Sequence, residues 1–270
     1  MIPITDPNDP RLAPYTQIRE RDLVGRQDRF IAEGKVTLAT LLQRSRFAVE
    51  SVFLCETRLG PLADLLARAP NDVAVYVAPQ AIMDAVAGFP MHRGVLACGL
   101  KGEPLQAEEV YRLKRPGPSV VVCAIGLSNH DNIGALFRNA AAFGAAGVLL
   151  DAESGDPLYR KSIRVSAGTT LWLPYAHSDT GEAMAAALAE AGYTLWALTP
   201  RPGCQPIWSA DIPQRLAIMV GAEGPGLPDH ILDMAMPIGI PMATGFDSVN
   251  VATAAAIALA HVFGDGSHSR

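Results

Sequence analysis

The second half of this chain repeats one pattern: a short apolar run, rich in β-branched residues, followed by a stretch of helical period. Strands are expected over 120–125, 147–150, 171–174, 194–198, 216–220 and 236–240, and helices over 133–143, 181–191 and 250–263. Short apolar strands that alternate with helices have no polar face to show to water. The fold class they imply is α/β, with a mostly parallel sheet covered on both faces. A smaller alternation precedes it, with helices expected over 35–44, 62–68 and 81–87 and strands over 49–54, 73–77 and 94–99. Between the two lies KGEPLQAEEVYRLKRPGP, whose Pro104, Pro116, Gly117 and Pro118 mark a linker. The expected division is an N-terminal arm over 1–22, a small α/β domain over 23–102, a linker over 103–118 and a larger α/β domain over 119–270. Two modest domains are ordinary for 270 residues.

Hydrophobic residues make up 49% of the chain and charged ones 18%, enough apolar surface for two cores. The first residues, MIPITDPNDPRLAPYTQIRER, lack the basic flank and apolar stretch of a signal peptide. Every apolar run falls short of the roughly 18 residues a membrane span needs. A soluble, cytoplasmic protein with no membrane partner is expected. Four scattered cysteines form no Cys-x-x-Cys pair and read as buried, reduced thiols, so no metal site is expected. Net charge is −5, which taken alone argues against nucleic acid. The charge is uneven, however: residues 111–170 carry seven Lys/Arg against four Asp/Glu, while 171–270 carry three against nine. A local basic stripe can meet phosphates on an acidic protein.

Three segments of the larger domain carry side chains suited to chemistry. In NIGALFRNA, Asn132 has the side chain of a helix cap and Arg138 lies nearly two turns on. By itself this is a capped helix with a solvent arginine. In LAIMVGAEGPGLP an apolar strand ends in a glycine loop holding one carboxylate, Glu223. Glycines there admit close approach of a ligand or simply make a tight turn, and neither dinucleotide nor P-loop spacing is present. In IGIPMATGFDSVNVATAAAIALAH a strand ends near Pro241, and Ser248 and Asn250 open an Ala-rich helix.

Taken together and in this order, the three segments closely resemble the signature motifs of the SpoU/TrmH family of RNA 2'-O-methyltransferases, in the SPOUT superfamily. The resemblance extends to RKSIRVSAG at 160–168, and to EGKVTLATLL and MHRGVLA in the small domain, which look like the family's ribosomal-protein-like substrate-binding domain. It spans about residues 28 to 263. One departure is His130, where the family usually has proline before the first asparagine.

The resemblance implies a C-terminal trefoil knot that binds S-adenosylmethionine, and a homodimer. It assigns Asn132, Arg138, Glu223, Ser248 and Asn250 to catalysis. Cofactor contacts fall at Leu198, Thr199, Gly221, Ile240 and Val249, with Gly224 and Pro241 nearby. Arg160, Lys161 and Arg164 are candidates for RNA phosphates, or else a solvated helix face. Chemically, Arg138 is a poor general base, because a guanidinium has no spare lone pair; holding a phosphate beside the target ribose suits it better. Glu223 either accepts the hydroxyl proton or orients Arg138, and the residues leave both open. Ribosomal RNA is the expected substrate and transfer RNA the alternative. Two other readings compete: a nucleotide enzyme of doubly wound type, which lacks its glycine fingerprint here, and a non-catalytic RNA-binding member of the same fold.

Overall fold

The computed structural model describes residues 1–16, 27–113 and 117–264. Positions 17–22 of the expected arm, 23–26 of the expected small domain, 114–116 of the expected linker and 265–270 of the larger domain lie outside the described residues. The chain forms two compact units, Met1–Glu103 with Asp156–Trp172, and Pro104–Gly155 with Leu173–Arg270.

In the first unit the strands are β1 (Ile2–Pro3), β2 (Arg29–Glu33), β3 (Ala48–Cys55), β4 (Ala74–Ala78) and β5 (Val95–Leu100). They form one sheet in the order β1-β4-β3-β5-β2, parallel at β1/β4 and β3/β4 and antiparallel at β3/β5 and β2/β5. Helices α1 (Lys35–Gln43), α2 (Leu59–Leu66) and α3 (Gln80–Ala87) connect them. Residues 1–16 do not stand out as an arm. Ile4, Leu12 and Tyr15 are buried in the same core as Phe53, Met83 and Met91, and the Tyr15 hydroxyl lies 2.8 Å from Ser51 Oγ. The apolar positions among the prolines supply that anchoring.

The second unit holds α4 (Ala107–Tyr111), β6 (Ser119–Ala124), α5 (His130–Phe143), β7 (Gly147–Leu150), β8 (Tyr175–His177), α7 (Gly181–Glu190), β9 (Thr194–Leu198), β10 (Gln205–Pro206), β11 (Arg215–Val220), α8 (Asp229–Leu232), β12 (Met236–Gly239) and α9 (Val251–Phe263). Helix α6 (Arg160–Val165) falls in the stretch that belongs to the first unit. The sheet runs β10-β12-β9-β11-β6-β7-β8, every pairing parallel. One core cluster joins Val121, Leu149, Leu195 and Met219 of the strands to Met184 and Leu188 of α7. Helices α5 and α9 pack on each other, with Asn139 Nδ2 donating to the Ala252 carbonyl at 2.8 Å. The small side chains Ala252, Ala255 and Ala258 of α9 are buried within this unit.

Three expectations need correction. Residues 171–174 are not a strand: Thr169–Leu171 is a 3-10 turn entered through Gly168 at φ +84°, and the strand follows at Tyr175. The expected linker contains α4, closed by a capping box in which Gln106 N–H donates to Glu109 Oε2 at 2.7 Å; Val110 and Tyr111 enter the core of the second unit. The larger domain is not continuous either. Leu158, Ile163 and Leu171 are buried with the first unit, where Arg160 Nη1 donates to the buried Glu33 carboxylate at 2.7 Å and the Leu171 carbonyl accepts the Arg46 N–H.

Candidate functional site

Ligands of open parallel sheets gather at the carboxyl ends of the strands. Here β12, β9 and β11 are neighbours, and the chain leaving each of them borders one cavity of about 570 Å³. Six of the seven residues expected to meet the cofactor line it: Leu198, Thr199, Gly221, Gly224, Ile240 and Val249. Pro241 is exposed and lies outside the lining, between Ile240 and Met242, which belong to it. Val220, Met242, Val251 and Ala254 add apolar wall that the sequence reading did not assign.

Glycine shapes this cavity by necessity at Gly221. A Cβ there would overlap the Gly226 carbonyl, because the loop folds back so that Gly226 N–H donates to the Ala222 carbonyl at 3.0 Å. The tight turn and the cavity wall are thus one object.

Glu223, Ser248 and Asn250 also border the cavity. Asn250 is the N-cap of α9, its Oδ1 accepting the Ala252 and Thr253 N–H groups at 3.0 and 3.3 Å. Its Nδ2 points the other way and donates to Asn132 Oδ1 at 2.9 Å and to Glu223 Oε1 at 3.2 Å. One residue from each motif is thereby joined through a single carboxamide. Asn132 is not itself a helix cap, which corrects the expectation. Asn129 caps α5, accepting the Asp131 N–H at 2.9 Å, and Asn132 is a buried residue of the first turn. Its Nδ2 is buried and has no acceptor among the described residues.

Arg138 is not joined to this network. It is exposed on α5, six residues beyond Asn132, and makes no hydrogen bond or ion pair among the described residues. Arg160, Lys161 and Arg164 lie in α6, within the first unit; Arg160 is half-buried against Glu33 and Phe89, and the other two are exposed. Among the described residues no cluster of His, Cys, Asp and Glu could hold a metal ion, and no helix is long and apolar enough to cross a membrane. Burial pushes the Cys123 thiol up, as expected of an inert core cysteine.

Comparison with known proteins gives a consistent picture. The profile of the SpoU rRNA Methylase family matches residues 119–260. An uncharacterized tRNA/rRNA methyltransferase of Mycobacterium tuberculosis is 36% identical over 98% of this chain and 92% of its own. The crystal structure of an RNA 2'-O ribose methyltransferase is similar with a TM-score of 0.78 and 26% identity, covering 97% of this chain and 98% of its own. The SpoU methyltransferase AviRb from Streptomyces viridochromogenes, solved in complex with AdoMet, shares the fold at a TM-score of 0.78 and 22% identity, over 95% of this chain and 98% of its own.

Proposed function

The chain belongs to the SpoU rRNA methylase family, and from that premise we propose that it transfers a methyl group from S-adenosylmethionine to a ribose 2'-hydroxyl of ribosomal RNA. The observation that carries this reading is the Asn132–Asn250–Glu223 network beside the cavity at the ends of β9, β11 and β12. The cavity suits the cofactor in size, since small-molecule sites run to roughly 300–1,000 Å³. Its walls combine the apolar side chains of Leu198, Ile240 and Val249 with a glycine loop whose main chain is open to a ligand. Bound there, S-adenosylmethionine supplies a methyl already activated as a sulfonium.

The protein's task is then to orient a hydroxyl and take one proton. Asn250 fixes one oxygen of Glu223, while the exposed remainder of that carboxylate faces solvent and can accept the proton from the 2'-hydroxyl. Ser248 lies on the same wall and can hydrogen-bond the ribose. Arg138, permanently charged and exposed, holds the adjoining phosphate. Orientation alone contributes several kcal/mol to such a transfer. Arg160, Lys161 and Arg164 meet further phosphates from the substrate-binding unit. The same reading includes a trefoil knot in the methyltransferase domain, a homodimer and a cytoplasmic location.

Tritium transfer from labelled cofactor to RNA of a strain lacking the gene tests this, followed by mapping of ribose methylation. Incorporation at one ribosomal nucleotide is expected. Incorporation into transfer RNA alone would move the substrate, and methylation of a base would refute the ribose assignment.

A further inference from the structure

A buried carboxylate close to this site is unused by the chemistry above. Asp151, just past the end of β7, is 4% exposed and makes no salt bridge among the described residues. Both its oxygens accept the Gly126 N–H, at 3.0 and 2.9 Å, and Ser154 Oγ lies 2.6 Å from its Oδ1. Ser154 Oγ in turn accepts the Leu127 N–H at 3.1 Å. Two main-chain bonds complete the set, Asp151 N–H to the Ala124 carbonyl at 3.1 Å and Gly155 N–H to the Leu127 carbonyl at 3.0 Å. Gly155 is seated so closely that a Cβ would lie 3.1 Å from the Ser128 carbonyl and 3.3 Å from His130 Nε2.

Residues 151–155 therefore grip the turn 124–128 along its length. That turn passes through Gly126 at φ +65° and runs directly into Asn129, the cap of α5, whose first turn holds Asn132 against Asn250. A buried charge costs several kcal/mol unless hydrogen bonds offset it, and a neutral side chain could close such a turn more cheaply. Charge-assisted bonds give stiffness in return. We propose that Asp151 is a positioning residue for the transfer reaction: it fixes the turn before α5 so that the Asn132 carboxamide meets Asn250 and, through it, Glu223. This rests on the methyltransferase reading of the site, and Asp151 itself is not among the residues that line the cavity.

The test is a double-mutant cycle in the full-length chain, with tritiated S-adenosylmethionine and ribosomal RNA from the deletion strain as probes. Asp151→Asn keeps the shape and removes the charge. It is expected to slow single-turnover transfer at saturating RNA by about 10- to 100-fold, the cost of misplacement on the order of 1 Å. Affinity for S-adenosylhomocysteine, set by residues 198–254, stays within twofold. Asn132→Ala also slows transfer, and the double variant is no slower than Asn132→Ala alone, because both act through one carboxamide. Should Asp151→Asn fail to fold, Ser154→Ala loosens the same grip and shows the same non-additivity at smaller amplitude. Losses that multiply in the double variant, or wild-type transfer by Asp151→Asn from an active parent, overturn the proposal. A parent that neither binds cofactor nor methylates RNA overturns the underlying reading, and the role of Asp151 with it.

Discussion

Asn250 serves two ends at once, and replacing it separates them. Its Oδ1 closes the first turn of α9 and its Nδ2 joins Asn132 to Glu223. Asn250→Ala removes a cap worth about 1 kcal/mol. It also leaves the buried Asn132 Oδ1 without its donor, at a cost of roughly 1–3 kcal/mol. The Glu223 contact adds little, since that carboxylate is exposed and water replaces the bond. A destabilisation of about 2–4 kcal/mol follows, and at about 2–4 °C per kcal/mol the melting temperature falls by roughly 4–16 °C. Asn250→Asp behaves differently. It keeps the cap, and Asn132 can turn its amide and donate Nδ2, which now has no acceptor, to the new carboxylate. What remains is a second negative charge beside Glu223. Like charges raise each other's folded pKa above the unfolded value, so the penalty is present at neutral pH and fades as pH falls through the raised value. Thermal unfolding by circular dichroism at pH 7 and pH 5, compared with the parent at each pH, measures both effects. Methyl transfer is lost in either variant. An Ala variant melting within about 2 °C of the parent, or an Asp variant whose deficit does not shrink on acidification, would show that the network does not bear on stability as reasoned.

Arg138→Ala should abolish transfer and leave cofactor affinity within a few-fold, and Arg138→Lys should also fail, because a point charge loses the bidentate fork; single-turnover rates with calorimetry decide it, and wild-type rates in the Ala variant return Arg138 to a surface role. Gly221→Ala forces the 221–226 turn open and should weaken S-adenosylhomocysteine binding at least about tenfold by calorimetry, whereas Gly60→Ala, where a Cβ meets nothing, should leave it unchanged. In the first unit, the hydrogen bonds from Arg29 hold the Glu50 carboxyl below its ordinary value, with a lesser contribution from the Cys98 thiol. A depressed carboxylate stabilises the fold above its unfolded pKa and loses that contribution as pH falls through the folded value, so Arg29→Gln should flatten the acid limb of the stability profile in urea titrations between pH 5 and about pH 2.

Much of the second unit was readable because parallel strands buried on both faces leave apolar runs with few alternatives. Strands 147–150 and 194–198 fall at their expected positions, and those expected over 120–125, 216–220 and 236–240 shift by one residue at one or both ends. The failures share a cause. An apolar run states that a segment is buried, not which core receives it. Leu158, Ile163 and Leu171 lie inside the expected larger domain and yet are buried residues of the smaller unit. Leu-Trp-Leu at 171–173 looks like a strand on composition, while Gly168 and Pro174 confine it to a turn. Helix α4 did carry a signal, the Gln-x-x-Glu of its capping box, which the surrounding prolines and glycine outweighed.

At the site the division follows the hydrogen-bonding partner. Asn250 bonds both Asn132 and Glu223, so it limits what those two can be, and the order of the three along the chain was legible as a set. Confusion of Asn132 with the cap arises because Asn129 and Asn132 offer the same amide three residues apart, and only the path of the turn decides which one faces the free N–H groups. Asp151 and Asn139 bond main chain instead, Asp151 the Gly126 N–H and Asn139 the Ala252 carbonyl. Every non-proline residue offers the same main-chain groups, so nothing at Gly126 or Ala252 marks it as the partner. A side chain that works by gripping backbone becomes visible only once the backbone has been traced, and for that reason the residues that position this site were less legible than the residues that form it.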